Sequence, residues 1–360
     1  MSIAYLSAAP GIPLQGPSGA SAHIRDFVSA LRCLDSVDLF VPQTVDRRGH
    51  FGPSVDAVET GIVGWPSWLK HWREYREVLI AKRLARQALK TDADWGLVIE
   101  RHSLFSNAGR RVADHHRSPL VLEVNAPLVA ERHRYETIYR RRYAQQWERE
   151  VLCAADHVVA VSAWLKDWLE QEVGCAQVTH IPNAVTPIEG RPKVGRQLLG
   201  LSDNRPIVGF VGSMKPWHGV EFLAELALRV DAHVVAVGHG VIPSGLVPFC
   251  TYDPQALADV ISAFSVGVAP YRSDAPPWFS PLKIMQYRAQ GIPIVAPDIG
   301  DCHLLMEGCG QTVIMDNHSQ WIDAIYEEFG KKYPKTRRSW VGIAQDLCAL
   351  VGHRPENALN

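Results

Sequence analysis

Two stretches of this chain set a cation and outward-facing amides where an anion would sit. In GFVGSMKPWHGVEF, residues 209–222, the apolar run 207–211 ends at Gly212, and Ser213, Lys215 and His218 follow before a helical pattern starts near Gly219. Pro216 and Trp217 stiffen this loop. A lysine between a strand end and a helix start can hold a diphosphate without a metal ion. In FSPLKIMQYRAQG, residues 279–291, Phe279 and Ser280 lead into a helix whose first turn suits Pro281, because the missing N–H costs nothing there. That start leaves the amides of residues 280–283 available to an anion, with Leu282, Lys283 and Gln286 sharing one face.

The first half has its own candidates. GIPLQGPSGASAHIRDFVSAL, residues 11–31, combines Gly16, Gly19 and the small residues Ser18, Ala20 and Ser21 ahead of a helix carrying His23 and Arg25. Small residues there let amides approach a phosphate, although the spacing is not the GxGxxG of dinucleotide sites. LEVNAPLVAERHRYE, residues 122–136, puts Asn125, Pro127 and Glu131 just past a strand. An asparagine can hydrogen-bond a hydroxyl but cannot act as a base. Glu100 and Arg101 end another apolar run and line the same edge.

These residues need a frame that gathers strand ends. Apolar runs at 3–7, 37–41, 97–100, 120–124 and 158–161, then at 207–211, 234–237, 266–269 and 292–296, lack period-2 alternation and so read as parallel strands buried on both faces. Helical patterns at 22–33, 136–153, 220–230 and 254–264 complete βαβ units. The class is α/β, with ligands expected beyond the carboxyl ends of the strands. A polar stretch rich in Gly and Pro at 186–205 separates the halves. The expected organisation is two Rossmann-like, doubly wound domains facing across a cleft. They cover 1–190 and 191–339, and 340–360 form a helix returning to the first domain.

Composition narrows the partners. With 37 basic and 38 acidic residues, the chain lacks the basic excess of a nucleic-acid binder. No run of 18 apolar residues or charged leader is present, and the seven cysteines form no CxxC, which together predict a reduced, cytoplasmic protein. Asp92-Ala93-Asp94 imitates a metal-binding triplet but precedes a strand, the wrong end for a site, and adjacent His115-His116 are poorly spaced as ligands; no metal is expected. The stretch 65–90 mixes Trp65, Trp68 and Trp72 with many cations. A helix packing its tryptophans is favoured there over a membrane-surface helix, because Glu74 and Glu77 dilute the charge. Residues 132–143 are also basic, suiting an anionic acceptor or a solvated face equally.

Taken in order, these segments resemble the retaining family 4 glycosyltransferases of the GT-B fold. GPSGASAH is similar to that family's Gly-Gly-x-x-x-His helix start, with Gly19 and His23 matching. VTHIPNAV resembles its crossover, GFVGSMKPWHG its phosphate loop, and SPLKIMQYRAQGIPIVAPDIG its nucleotide-sugar helix. The resemblance covers residues 1 to about 316. It implies a nucleotide-diphosphate-sugar donor on the C-terminal domain and a small-molecule acceptor on the N-terminal one. Transfer would retain anomeric configuration and need no cofactor or metal. Stabilising the departing diphosphate would fall to Lys215, His218 and the amides near Gly19 and at 280–283, with Gly212 and Ser213 lining the loop. His23, Glu100, Arg101, Asn125 and Glu131 would serve the acceptor, Asn125 standing where the family often keeps a histidine near the reacting centre. Gln286 and Trp278 stand where the family keeps a pair of glutamates, which points to a specialised branch. A non-catalytic sugar-nucleotide-binding partner protein, and an epimerase or pseudo-glycosyltransferase on the same fold, are the alternatives.

Overall fold

The structure, a computed structural model, describes residues 2–15, 19–42, 57–60 and 72–355. Gly16 and Ser18 of the first loop, and Trp65 and Trp68 of the basic stretch, lie outside the described residues. The chain divides into two compact units, Met1–Pro182 with Trp340–Asn360, and Asn183–Ser339. The first unit thus ends before residue 190, because the segment from Asn183 onward bonds within the second. The Asn183 N–H donates to Ser280 Oγ, the Gly190 N–H to Gln290 Oε1, and the Arg191 N–H to Asp259.

In the first unit, β1 (Ser2–Ser7), β2 (Val37–Pro42), β3 (Ala57–Thr60), β4 (Trp95–Arg101), β5 (Leu120–Val124), β6 (His157–Ala160) and β7 (Val178–His180) form a seven-stranded sheet in the order β3-β2-β1-β4-β5-β6-β7. Helices α1 (Gly19–Leu34), α2 (Arg73–Ala88), α3 (Ala108–His116), α4 (Leu128–Tyr135), α5 (Arg141–Cys153) and α6 (Ala163–Trp168) accompany it. The second unit holds β8 (Ile207–Val211), β9 (His233–Val237), β10 (Val247–Phe249), β11 (Val266–Val268), β12 (Ile294–Ala296) and β13 (Gly310–Thr312) in the order β10-β9-β8-β11-β12-β13. Its helices are α7 (Pro192–Leu198), α8 (Val220–Ala227), α9 (Pro254–Ser262), α10 (Leu282–Ala289), α11 (Cys302–Met306) and α12 (His318–Glu328), and α13 (Trp340–Leu350) follows. All pairings are parallel.

Helix α13 packs on α1. The Trp340 ring meets His23 edge-on at 4.7 Å, and beyond the helix His353 Nε2 lies 3.1 Å from the buried carboxylate of Asp35.

The helix expected over 136–153 is broken. Buried Glu74 accepts from the N–H of Tyr139 at 2.7 Å and that of Arg140 at 3.4 Å, and Glu136 is extended at φ −145°, so α4 and α5 form instead. In the second unit, two strand glycines explain the packing beneath β8 and β11. A Cβ on Gly209 would fall 2.2 Å from the Phe264 ring, and one on Gly267 2.6 Å from the Tyr287 ring. The Tyr287 hydroxyl accepts from the Val211 N–H and donates to the Val268 carbonyl, both at 3.0 Å, which ties the carboxyl ends of β8 and β11 together.

Candidate active site

Beyond the end of β8 the chain turns sharply. Gly212 has φ 153°, and Gly219, at φ 65°, lets the loop close against Pro270, whose carbonyl a Cβ there would meet at 2.0 Å. Between them Pro216–His218 form one 3-10 turn. Lys215 extends outward, exposed, with Nζ 4.8 Å from the Trp217 ring centre, and Ser213 is exposed as well.

His218 turns inward. Its Nδ1 faces the Ser213 carbonyl, and its ring meets Tyr271 edge-on at 5.6 Å. Burial pushes the imidazole down to about 3, with the neighbouring Lys283 adding to the effect. The ring is therefore neutral at pH 7, Nδ1–H donates to the carbonyl, and Nε2 is left as an acceptor. Desolvation is the reason, and it leaves His218 to act through a hydrogen bond rather than through charge.

Lys283, unlike Lys215, is buried. Its Nζ lies 4.1 Å from the Phe210 ring centre and 4.4 Å from that of Tyr271. A Cβ on Gly212 would fall 3.2 Å from Nζ and 3.4 Å from His218 Nδ1, a tight fit at a φ of 153° that already favours glycine. Nζ is buried and has no hydrogen-bond partner among the described residues. Burial holds the amine down at about 7, against an opposing pull from Cys302. A desolvated amine without a counter-ion is costly, and its natural complement is an anion.

Helix α10 delivers Lys283. Pro281 is the residue capping its start, at φ −77° and ψ 102°, and Leu282 rather than Pro281 opens the first turn. Ser280 is pinned from both sides, its hydroxyl accepting from the Asn183 N–H at 3.2 Å and its carbonyl from the Asn183 side chain at 3.3 Å. Phe279 lies against Tyr271 at 4.5 Å, and Gln286 is half-buried one turn beyond Lys283. Arg288 is used internally, donating to the carbonyls of Leu305 and Met306 at the end of α11.

In the first unit the polar centre is Glu123, which sequence reasoning missed. It stands inside β5, 3% exposed, and its Oε1 accepts from Arg101 at 2.9 Å and from the Asn125 amide. The Tyr5 hydroxyl donates to Oε2 at 3.3 Å. His23 Nε2 is 2.8 Å from Oε1, though out of line for a hydrogen bond. Burial acts to raise this carboxyl, but His23, Arg101 and Asn125 outweigh it and hold it at about 2. A glutamate in the apolar run LVLEV was the available signal, since a buried charge demands partners.

The other first-unit candidates separate. His23, Arg101 and Asn125 converge on Glu123, and Asn125 alone of the three is more than marginally exposed. Glu100 is committed elsewhere: fully buried, it accepts from the Ser106 hydroxyl and, at 2.7 Å, from the Gly109 N–H at the start of α3. Glu131 is half-buried on α4, and Gly19 opens α1 exposed. A polar hollow between Arg110, Asp114, Arg117, Asp156, His157 and Gln177 lies at the amino ends of β5 to β7, away from where such sheets hold ligands. Among the described residues no three His, Cys, Asp or Glu side chains gather as metal ligands, and no helix is long and apolar enough to cross a membrane.

The family model for Glycosyltransferase Family 4 matches residues 17–188, and that for Glycosyl transferases group 1 matches residues 205–328. The chain is of the glycosyltransferase family 4/group 1 type. A 121-residue stretch of this glycosyltransferase-type chain is 35% identical to the GDP-mannose-dependent alpha-mannosyltransferase of Mycolicibacterium smegmatis, spanning 32% of this chain and 31% of that protein. Among solved structures, the sucrose-phosphate synthase of Thermosynechococcus elongatus superposes with a TM-score of 0.68 at 17% identity, covering 98% of this chain and 95% of that one. Anabaena HepE, solved with UDP and glucose, gives 0.65 at 15% identity, covering 98% and 97%. Likeness at such identities speaks for the fold, which is GT-B: two Rossmann-like domains.

Proposed function

We propose that this chain is a retaining, metal-independent glycosyltransferase. It moves a hexosyl group from a nucleotide-diphosphate sugar on the Asn183–Ser339 unit to a hydroxyl of a small-molecule acceptor on the other unit. The observation that carries this reading is Lys283 Nζ, a buried amine with no partner, opposite Gly212 and at the start of a helix beyond a strand end. As the glycosidic bond breaks, charge accumulates on the leaving diphosphate, and a fixed cation in a dry site stabilises that charge more than it does the ground state.

Each residue's part follows from its surroundings. Lys283 faces the diphosphate, with the amides of Ser280, Leu282 and Lys283 beside it. Lys215 and Ser213, exposed on the loop, meet its outer oxygens. Neutral His218 accepts a hydrogen bond from a donor hydroxyl through Nε2. Gln286 takes the ribose hydroxyls with an amide where a carboxylate would bind more strongly. On the first unit Asn125, oriented by Glu123, presents its side chain to the acceptor, and His23 and Arg101 hold Glu123 ionised. Glu131 lines the rim.

The matched mannosyltransferase uses GDP-mannose and HepE binds UDP and glucose, which support a sugar nucleotide as donor and leave the base open. The test is incubation with a panel of UDP-, GDP- and dTDP-sugars and simple glycosides, with and without EDTA, reading nucleotide release and the anomeric proton of the product. Transfer with the donor's anomeric configuration, unaffected by EDTA, is expected. An inverted product or loss with EDTA contradicts the reading.

A further inference from the structure

We propose that Lys283 is largely an uncharged amine in the empty site above neutral pH and is held as an ammonium once the donor's diphosphate arrives, so that donor binding draws up to one proton from solvent. The inference rests on the reading of the C-terminal unit as a nucleotide-sugar site.

The geometry puts aromatic rings against the amine, with no hydrogen-bond partner among the described residues. Nζ stands 4.1 Å from the Phe210 ring centre and 4.4 Å from that of Tyr271, and a β-carbon built on Gly212 would fall 3.2 Å from it. The groups around it can be taken element by element. On α10, the Tyr287 hydroxyl is tied to Val211 and Val268, and Arg288 to the end of α11 and to Glu307. From the turn after β8 comes His218, neutral, with Lys215 beyond it. After β11 stands Tyr271, whose phenol burial pushes well above its usual range. From α11 comes Cys302, its thiol pushed up to about 12 by burial, with Asp298 and Asp301 beside that thiol. At neutral pH the side chains touching the amine are therefore uncharged, and Nζ has no hydrogen-bond partner among the described residues.

Ring faces attract a cation, but less than water solvates one. Burial wins, and the empty site holds a substantial share of free amine at pH 7 and mostly free amine at pH 8. A diphosphate changes the balance, because an anion within a few ångströms in a desolvated site favours the ammonium strongly. The nitrogen lone pair takes a proton from a buffer acid; one N–H bond forms and the buffer's bond to hydrogen breaks. When the nucleotide leaves, the proton leaves with its counter-charge. Donor binding then weakens as pH rises above about 7, the range in which the proton must be supplied.

The test has two arms, one of them independent of any donor. Lysine labelled with carbon-13 at Cε gives one resonance that disappears in Lys283→Arg and, as a second assignment, in Lys283→Met. In the free protein this resonance is expected to titrate near 7, and above 9 with saturating UDP-glucose or GDP-mannose. Calorimetry of the wild-type chain at pH 8, in buffers of differing ionisation heat, is expected to show uptake of about 0.9 proton per sugar nucleotide. Neither probe exchanges a phosphate proton in this range. Binding without buffer dependence, or a Lys283 resonance that titrates above 9 without ligand, overturns the coupling and leaves the nucleotide reading standing. A resonance near 7 with no binding of either probe overturns the nucleotide reading, and the coupling with it.

Discussion

Lys283 Nζ lies 3.2 Å from the point where a β-carbon on Gly212 would stand, so a methyl group there would press on the amine. Gly212→Ala is expected to displace the amine toward the Tyr271 ring and to reduce donor affinity by at least about tenfold, a loss of ~1.4 kcal/mol. Thermal unfolding should change far less than the affinity. An alanine variant with wild-type donor binding would separate Gly212 from the site.

Lys283 should weaken the fold it serves. Its folded-state pKa, about 7, is below the unfolded value, so the charged form is disfavoured by folding. The stability penalty is absent above the unfolded pKa, grows as pH falls through that range, and is complete below about 7. Lys283→Met is therefore expected to raise Tm at pH 7 by several degrees, at ~2–4 °C per kcal/mol for a unit of this size, and by much less at pH 10. Equal shifts at both pH values would deny the buried amine its cost.

Much of this architecture could be read from the residues. Long Val- and Ile-rich runs such as IVGFV and LVLEV are strands buried on both faces, and both were legible. The short edge strands VPF and GQT were not, because an edge strand has one partner and needs no continuous apolar run. For the candidate site, the sequence named the loops that follow β8 and β11. Which lysine is buried was not legible, since Lys215 and Lys283 have the same chemistry and only the fold puts one outside and the other between two rings. Glu123 was hidden for the opposite reason: a single charge in an apolar strand carries no spacing pattern, and its partners Arg101 and Tyr5 are far away in sequence. Glu100 ended a strand as a ligand-binding residue would, yet local bonds to Ser106 and Gly109 consume it.

Lys215 becomes secondary in consequence. Exposed and resting on Trp217, it would offer the donor only water-screened contacts, worth less than a buried charge. Lys215→Ala is expected to raise donor KM by no more than about tenfold, with kcat falling less than in Lys283→Ala. Steady-state kinetics on the two variants settle the ranking, and a larger loss from Lys215→Ala would reverse it.

Glu123 should control acid stability. Its carboxyl is held at about 2, below the unfolded value, so its contribution is complete above about 4.5 and disappears as pH falls toward 2. Glu123→Gln leaves the buried Arg101 guanidinium without its anion, at a cost of about 3–5 kcal/mol at pH 7. Acid titrations followed by circular dichroism should show the variant and wild type converging as pH drops below 4.5. A constant difference down to pH 2 would mean that the pair contributes nothing through its charge.

Calorimetric titration of wild type and Lys283→Met with UDP-glucose and GDP-mannose at pH 7 addresses the diphosphate site most directly. At least one sugar nucleotide should bind the wild type, and the methionine variant, folded and at least as heat-stable, should bind it at least about 30-fold more weakly, a loss of ~2 kcal/mol or more. Undiminished binding by Lys283→Met would place the diphosphate elsewhere.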